Sequence, residues 1–145
     1  LNGDTMKAVH YPTAHTDGDT VVHFVAADVV HMGDIYFNGL YPFIDTGSGG
    51  STRGMVAAVD AVLAQIGDDT KVIPGHGPLS NKAELTAYRD MIETVADRIQ
   101  AGIAEGKTLE QVQADAPTAE WDETTGGGFI KPDVWVRMIY EDLSR

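Results

Sequence analysis

Three positions combine a side chain that can bind a metal with a glycine-rich turn. They are His15 in His15-Thr16-Asp17-Gly18-Asp19, Asp34 after Gly33, and His76 between Gly75 and Gly77. Each follows a short apolar run with strand character: Met6 to Tyr11, Asp28 to Met32 and Lys71 to Pro74. Strand ends on one edge of a sheet send their loops to the same side, so ligands far apart in sequence can meet. Two imidazoles and a carboxylate suit zinc, iron or manganese better than calcium or magnesium. Glycines on both sides of His76 let the backbone turn sharply and bring the imidazole close to a crowded centre. Asp19 is a candidate acceptor that orients an imidazole from behind; an Asp that merely closes the turn is the alternative.

The other three histidines, His10, His23 and His31, lie on predicted strands. His23 and His31 alternate with Val21, Val25 and Val29 and read as sheet-face residues. His31 is the nearest to Asp34 and is kept with Asp19 as a candidate supporting residue. Ser48-Gly49-Gly50-Ser51 reads as an N-cap rather than an anion cradle. Neither a Gly-x-Ser-x-Gly elbow nor a Gly-x-x-x-x-Gly-Lys loop occurs.

The elements that must position these residues follow from periodicity. Residues 5–11, 20–25 and 29–32 read as strands, the last two joined as a hairpin through Ala26-Ala27-Asp28. Residues 38–50 read as an irregular loop. Apolar residues from Met55 to Ile66 recur at helical spacing from Ser51 or Thr52 until Gly67. A short strand at 71–74 precedes the His76 turn. Ser80 is the expected N-cap of a long helix that runs to about Glu105, with Leu85, Tyr88, Met91, Ile92, Val95, Ile99 and Ile103 on its buried face. Thr108 to Gln111 fits a capping box, Gly126-Gly127-Gly128 a hinge-like turn, and Pro132 to Leu143 a last helix.

Composition bounds the function. The chain has 145 residues, enough for one domain with its own core. A net charge of −12 argues against nucleic acid or an anionic membrane as partner, since both call for basic patches. There is no cysteine, hence no disulfide, thiolate metal site or Cys nucleophile. No apolar run approaches the ~20 residues needed to span a bilayer. The compartment stays open between bacterial cytoplasm and periplasm.

The order and punctuation of these motifs resemble the C-terminal half of the metallo-β-lactamase superfamily. There, a His in an "AHTxGD" turn, an Asp in a "GD" strand end and a His in "PGHG" are metal ligands. Ala14-His15-Thr16-Asp17-Gly18-Asp19, Gly33-Asp34 and Pro74-Gly75-His76-Gly77 stand in that order here. The resemblance implies an α+β fold, half of a four-layer αββα sandwich, with one mixed sheet covered by helices. It implies a zinc-dependent hydrolase of an ester, thioester, lactone or amide, with a small-molecule substrate. His15 would serve one metal, His76 the second, and Asp34 would bridge. The family's His-x-His-x-Asp-His motif is absent, because the five histidines at 10, 15, 23, 31 and 76 make no His-x-His pair. Residues 1–145 are therefore expected to be a single C-terminal half-domain, a fragment or split product with weak activity at most. Its bare sheet face, built from Val21, Val25 and Val29 or from Val22, Phe24 and Val30, is expected to pair with the missing half or in a homodimer. The alternative is a non-catalytic folded half that self-associates.

Overall fold

β-branched and aromatic residues set the sheet. In the computed structural model, which describes residues 2–145, the strands are β1 (Met6–His10), β2 (Thr20–Phe24), β3 (Val29–His31) and β4 (Lys71–Ile73). They are hydrogen-bonded in that order, β1–β2 and β2–β3 antiparallel, β3–β4 parallel. A parallel pair needs a crossover, and helix α1 (Thr52–Leu63) lies within it. Two successive antiparallel pairings make β1 run in the same direction as β3. The C-terminal ends of β1, β3 and β4 therefore share one edge, where the predicted ligands follow their strands.

Register separates the two faces. Val9, Val21, Lys7, His23, Val30 and Val72 form paired positions on one face. Val21, Val30 and Val72 are buried there, beneath Val62 and Ile66. The opposite face has Met6, Phe24 and Val29 in one row and Ala8, Val22, His31 and Ile73 in the next. That face stays half-open, with Met6 51% exposed. Neither expected grouping of the sheet face holds. Phe24 pairs with Val29, so even positions of β2 sit opposite odd positions of β3. Val22, Phe24 and Val29 share the outer face, whereas Val21 and Val30 turn inward and Val25 lies in the turn.

The helices pack on the inner side around Met55, Val59, Leu85, Ile92, Val95, Ile99 and Ile139, each fully buried. Ser51 caps α1 by accepting the Gly54 amide at 3.0 Å. The helix stops at Leu63 rather than Ile66, because the Gly67 amide bonds the Thr70 hydroxyl at 3.0 Å instead of a helical carbonyl. Helix α2 (Lys82–Ala104) is capped by Asn81 and not by Ser80. Ser80 is drawn away into the sheet: its backbone pairs with Val72 and its hydroxyl meets the Tyr36 phenol at 2.7 Å. The capping box of α3 (Leu109–Ala114) forms as expected. A single-turn α4 (Asp122–Thr125) was not legible, and α5 (Pro132–Leu143) matches its expected span. Among the described residues no helix is long and apolar enough to cross a membrane.

Trp135 of α5 is fully buried and stacks on Tyr41 with ring centroids 4.4 Å apart. Its Nε1–H has no hydrogen-bond partner among the described residues. Trp135→Phe keeps most of the stack and removes that orphan donor, so it is expected to cost less than about 1.5 kcal/mol in urea unfolding. Trp135→Ala leaves a cavity and is expected to cost about 3–5 kcal/mol.

Candidate metal centre

His15 lies in the loop between β1 and β2, which Tyr11 closes by donating its amide to the Asp19 carbonyl at 2.8 Å. The loop lies directly on the start of α1. A Cβ at Gly54 would come within 1.7 Å of the Thr13 carbonyl oxygen, and one at Gly50 within 2.1 Å of that of His15. These two glycines permit a close backbone approach that any side chain would block. The Asp19 carboxylate accepts the Thr16 amide at 2.7 Å, so it braces the turn. The group that orients the imidazole is different: His15 Nδ1 donates to the Phe43 carbonyl at 2.8 Å. A carbonyl oxygen can only accept, so the proton sits on Nδ1 and a neutral His15 presents a lone pair at Nε2.

Asp34 stands in a 3-10 turn, Gly33–Ile35, directly after β3. The turn enters through Gly33 at φ 55°, and the Gly33 amide donates to His31 Nδ1 at 3.1 Å. His31 thus supports the backbone before Asp34 and stays on the open sheet face. Tyr88 holds the other side, its hydroxyl donating to the Ile35 carbonyl at 3.1 Å. Burial pushes that phenol well above its ordinary pKa, so it remains a neutral donor.

His76 is placed by an extension of the β3–β4 pairing. The Gly75 amide reaches the carbonyls of Gly33 at 2.8 Å and Tyr36 at 3.0 Å, and the Asn38 amide reaches the His76 carbonyl at 2.9 Å. Gly77 sits at φ +95°, a conformation that side chains resist. The His76 ring stacks on buried Phe37, with centroids 4.6 Å apart and planes 15° from parallel.

The three residues come together. His15 Nε2 lies 3.8 Å from Asp34 Oδ2, and His76 Nε2 lies 3.4 Å from Asp34 Oδ1. The side chain of His15 is 15% exposed, those of Asp34 and His76 44% and 47%, so the cluster opens on one side. Among the described residues, no group of three or more His, Asp or Glu side chains is arranged to hold a metal ion. Each imidazole approaches a different oxygen of one carboxylate.

The remaining histidines stay apart. His10 Nε2 meets the Asp17 carbonyl, and His23 Nε2 is buried on the inner sheet face without a partner. Asp45 lies beside the site and donates its amide to the His15 carbonyl. The Ser48 hydroxyl holds its carboxyl below the usual range. A cavity of about 210 Å³ borders Phe37, but none of His15, Asp34 and His76 lines it, and its Glu84 is committed to Ser80 and Asn38.

Solved structures share this arrangement of elements. A metallo-β-lactamase from Pontibacter korlensis superposes with a TM-score of 0.55 at 15% identity, over 64% of this chain and 43% of that one. A sec-alkylsulfatase from a Pseudomonas species superposes with a TM-score of 0.73 at 18% identity, over 97% of this chain and 24% of that one. The fold is of the metallo-β-lactamase type. This chain spans less than half the length of either protein with that fold. No family model and no curated protein matches it.

Sequence reasoning missed the Phe43 carbonyl, because a backbone acceptor leaves no mark on residue type. It also missed Phe37. Phe37 falls between the strand read at 29–32 and the loop read at 38–50, where no element was assigned.

Gly75 stands directly against Asp34. A Cβ there would lie 2.3 Å from Asp34 Oδ1 and 2.6 Å from the Gly33 carbonyl oxygen. Gly75→Ala is expected to lower stability by about 1–3 kcal/mol in urea unfolding. It should also displace the Asp34 carboxylate, read as shifted carboxyl carbon signals by NMR.

Proposed function

We propose that this chain supplies one part of a metal-dependent hydrolase site acting on a small-molecule ester, thioester, lactone or amide. His15 and His76 would each hold a zinc ion together with one oxygen of Asp34. One observation carries the reading. Two donors about 2 Å from a tetrahedral ion stand about 3.4 Å apart, and the His15–Asp34 and His76–Asp34 separations are 3.8 and 3.4 Å. Between His15 and Asp34 a lone pair faces a carboxylate oxygen, an arrangement that a cation relieves. The Nδ1–H bond to a backbone carbonyl is the usual second anchor of a metal-bound imidazole.

When bound, zinc lowers the pKa of its water and polarises the scissile carbonyl. The chain's own residues do the positioning. Phe43 and Phe37 hold the two imidazole planes, and the Gly33–Gly75 pairing keeps Asp34 between them. The full neighbouring proteins are the source of the chemical class, since one is named a metallo-β-lactamase and another a sec-alkylsulfatase.

Calorimetric titration with zinc tests this. Wild type is expected to bind one or two equivalents, more weakly as pH falls because protons compete for the imidazole nitrogens. His15→Ala and Asp34→Ala should each lose at least tenfold in affinity. Unchanged affinity in both variants sinks the assignment. Two donors per ion fall short of the three protein ligands usual for catalytic zinc, so thioester turnover by this chain alone should stay well below the roughly 1–10³ per second of ordinary enzymes.

A second reading has its own support in the open sheet face of Met6, Phe24, Val29, Ala8, Val22 and Ile73. Soluble monomers rarely keep a contiguous apolar patch of more than a few hundred Å² bare. We propose that this face pairs with a complementary half or with a second copy, most simply by two-fold symmetry. Light scattering at low protein concentration should give a mass above the monomer's 15.5 kDa. Phe24→Asp should return it to that mass.

A further inference from the structure

Of the seven large apolar residues exposed among the described residues, two are phenylalanines beside the His–Asp–His cluster: Phe43, 39% exposed, and Phe129, 62% exposed. Scattered apolar residues on a surface need no explanation, but these two are not scattered. The Phe43 ring stands edge-on to His15 with centroids 5.8 Å apart, and the Phe129 ring lies 6.1 Å from His76 and 6.3 Å from Phe37. Phe37 forms a buried floor between the imidazoles, stacked on one and 6.2 Å from the other.

The loop that carries Phe129 is seated by close contacts. A Cβ at Gly128 would meet Leu40 Cδ2 at 2.7 Å, and one at Gly126 would meet the Asp122 carbonyl oxygen at 2.6 Å. Lys131 Nζ donates to the Gly127 carbonyl at 3.3 Å. The Gly126–Gly128 run, which reads as a hinge in sequence, instead lets the backbone approach closely and presents an aromatic ring toward the cluster. Burying Phe129 would stabilise the fold, yet it stands out beside a polar centre.

Resting on the metal-site reading above, we propose that Phe43 and Phe129 are specificity residues forming an aromatic clamp. The substrate then carries an aryl or bulky alkyl group next to the bond that is cleaved. A small polar acyl group would leave both rings in water, whereas an aryl group slots between them in edge-to-face or offset contacts.

Phenylphosphonate and methylphosphonate, equal in charge and different in apolar bulk, are the probes, titrated into the zinc-supplemented full chain with ¹³C-labelled phenylalanine. Phenylphosphonate is expected to bind about tenfold more tightly, the yield of roughly 55 Å² of apolar surface removed from water. Its binding should shift the ring signals of Phe43 and Phe129. In Phe129→Ala and in Phe43→Ala the ratio of the two affinities should fall to about two or three, with Phe129→Leu and Phe43→Leu between these limits. Equal affinities in the wild type, or an unchanged ratio in both alanine variants, with zinc bound, overturn the clamp and leave the metal reading standing. If zinc does not bind, the metal reading fails on its own. The clamp is then decided by benzyl alcohol in the metal-free protein: saturable shifts of both rings, lost in the alanine variants, support it, and unshifted rings overturn it. Both rings are substantially exposed, so the variants keep the core, which thermal melts by circular dichroism check.

Discussion

The parallel pairing of β3 with β4, continued past both strands, is the constraint on which the site depends. Its last links are the Gly75 amide shared between the Gly33 and Tyr36 carbonyls and the Asn38 amide on the His76 carbonyl. They lock two chain segments, each just leaving the sheet, at a separation no side chain could enter. Asp34 and His76 face each other because the backbones behind them are hydrogen-bonded, not because the side chains attract. The same logic holds His15: its loop packs against α1 through Gly50 and Gly54, and the Phe43 carbonyl then turns the ring. The cluster sits on loops, but loops fastened to a rigid frame at the backbone level.

Such fastening explains what residue types alone can and cannot reveal. The strands at β2 and β3, the α2 stripe, the α3 capping box and the span of α5 were legible because local periodicity and capping chemistry agree with the fold. The three site residues were legible because a His or Asp in a glycine-flanked turn after an apolar run is an unusual combination. Ser80 misled, since a serine before an apolar helix reads as a cap, whereas here Val72 and Tyr36 compete for it and Asn81 takes the role. Asp19 follows the turn reading of its two: its carboxylate accepts the Thr16 amide. The sheet-face groupings failed for a topological reason. A tight turn decides whether odd or even positions of the next strand continue a face, and turn register is weakly marked when every candidate is a valine.

The two faces of the sheet differ in how they are covered, and the core lies on one of them. The inner face, with Val21, Val30 and Val72, is closed by α1 and α2, and most of the fully buried residues lie on that side. The outer face contributes Val22, Phe24, Val29 and Ile73, none of them fully buried. The frame that holds His15, Asp34 and His76 belongs wholly to this chain.

The Asp34 carboxylate stands between two imidazoles, Oδ2 3.8 Å from His15 Nε2 and Oδ1 3.4 Å from His76 Nε2. The His15 ring is turned by its Nδ1 bond to the Phe43 carbonyl. Asp34 is 44% exposed, and the backbone around it sets its place. Gly75 admits the carboxylate, Gly33 shapes its turn, and Tyr88 grips the adjacent Ile35 carbonyl from a fully buried position. Backbone devices thus hold one carboxylate between two imidazoles, the spacing from which the proposed metal reading is argued. The cluster opens on one side, with the Phe43 and Phe129 rings at its rim.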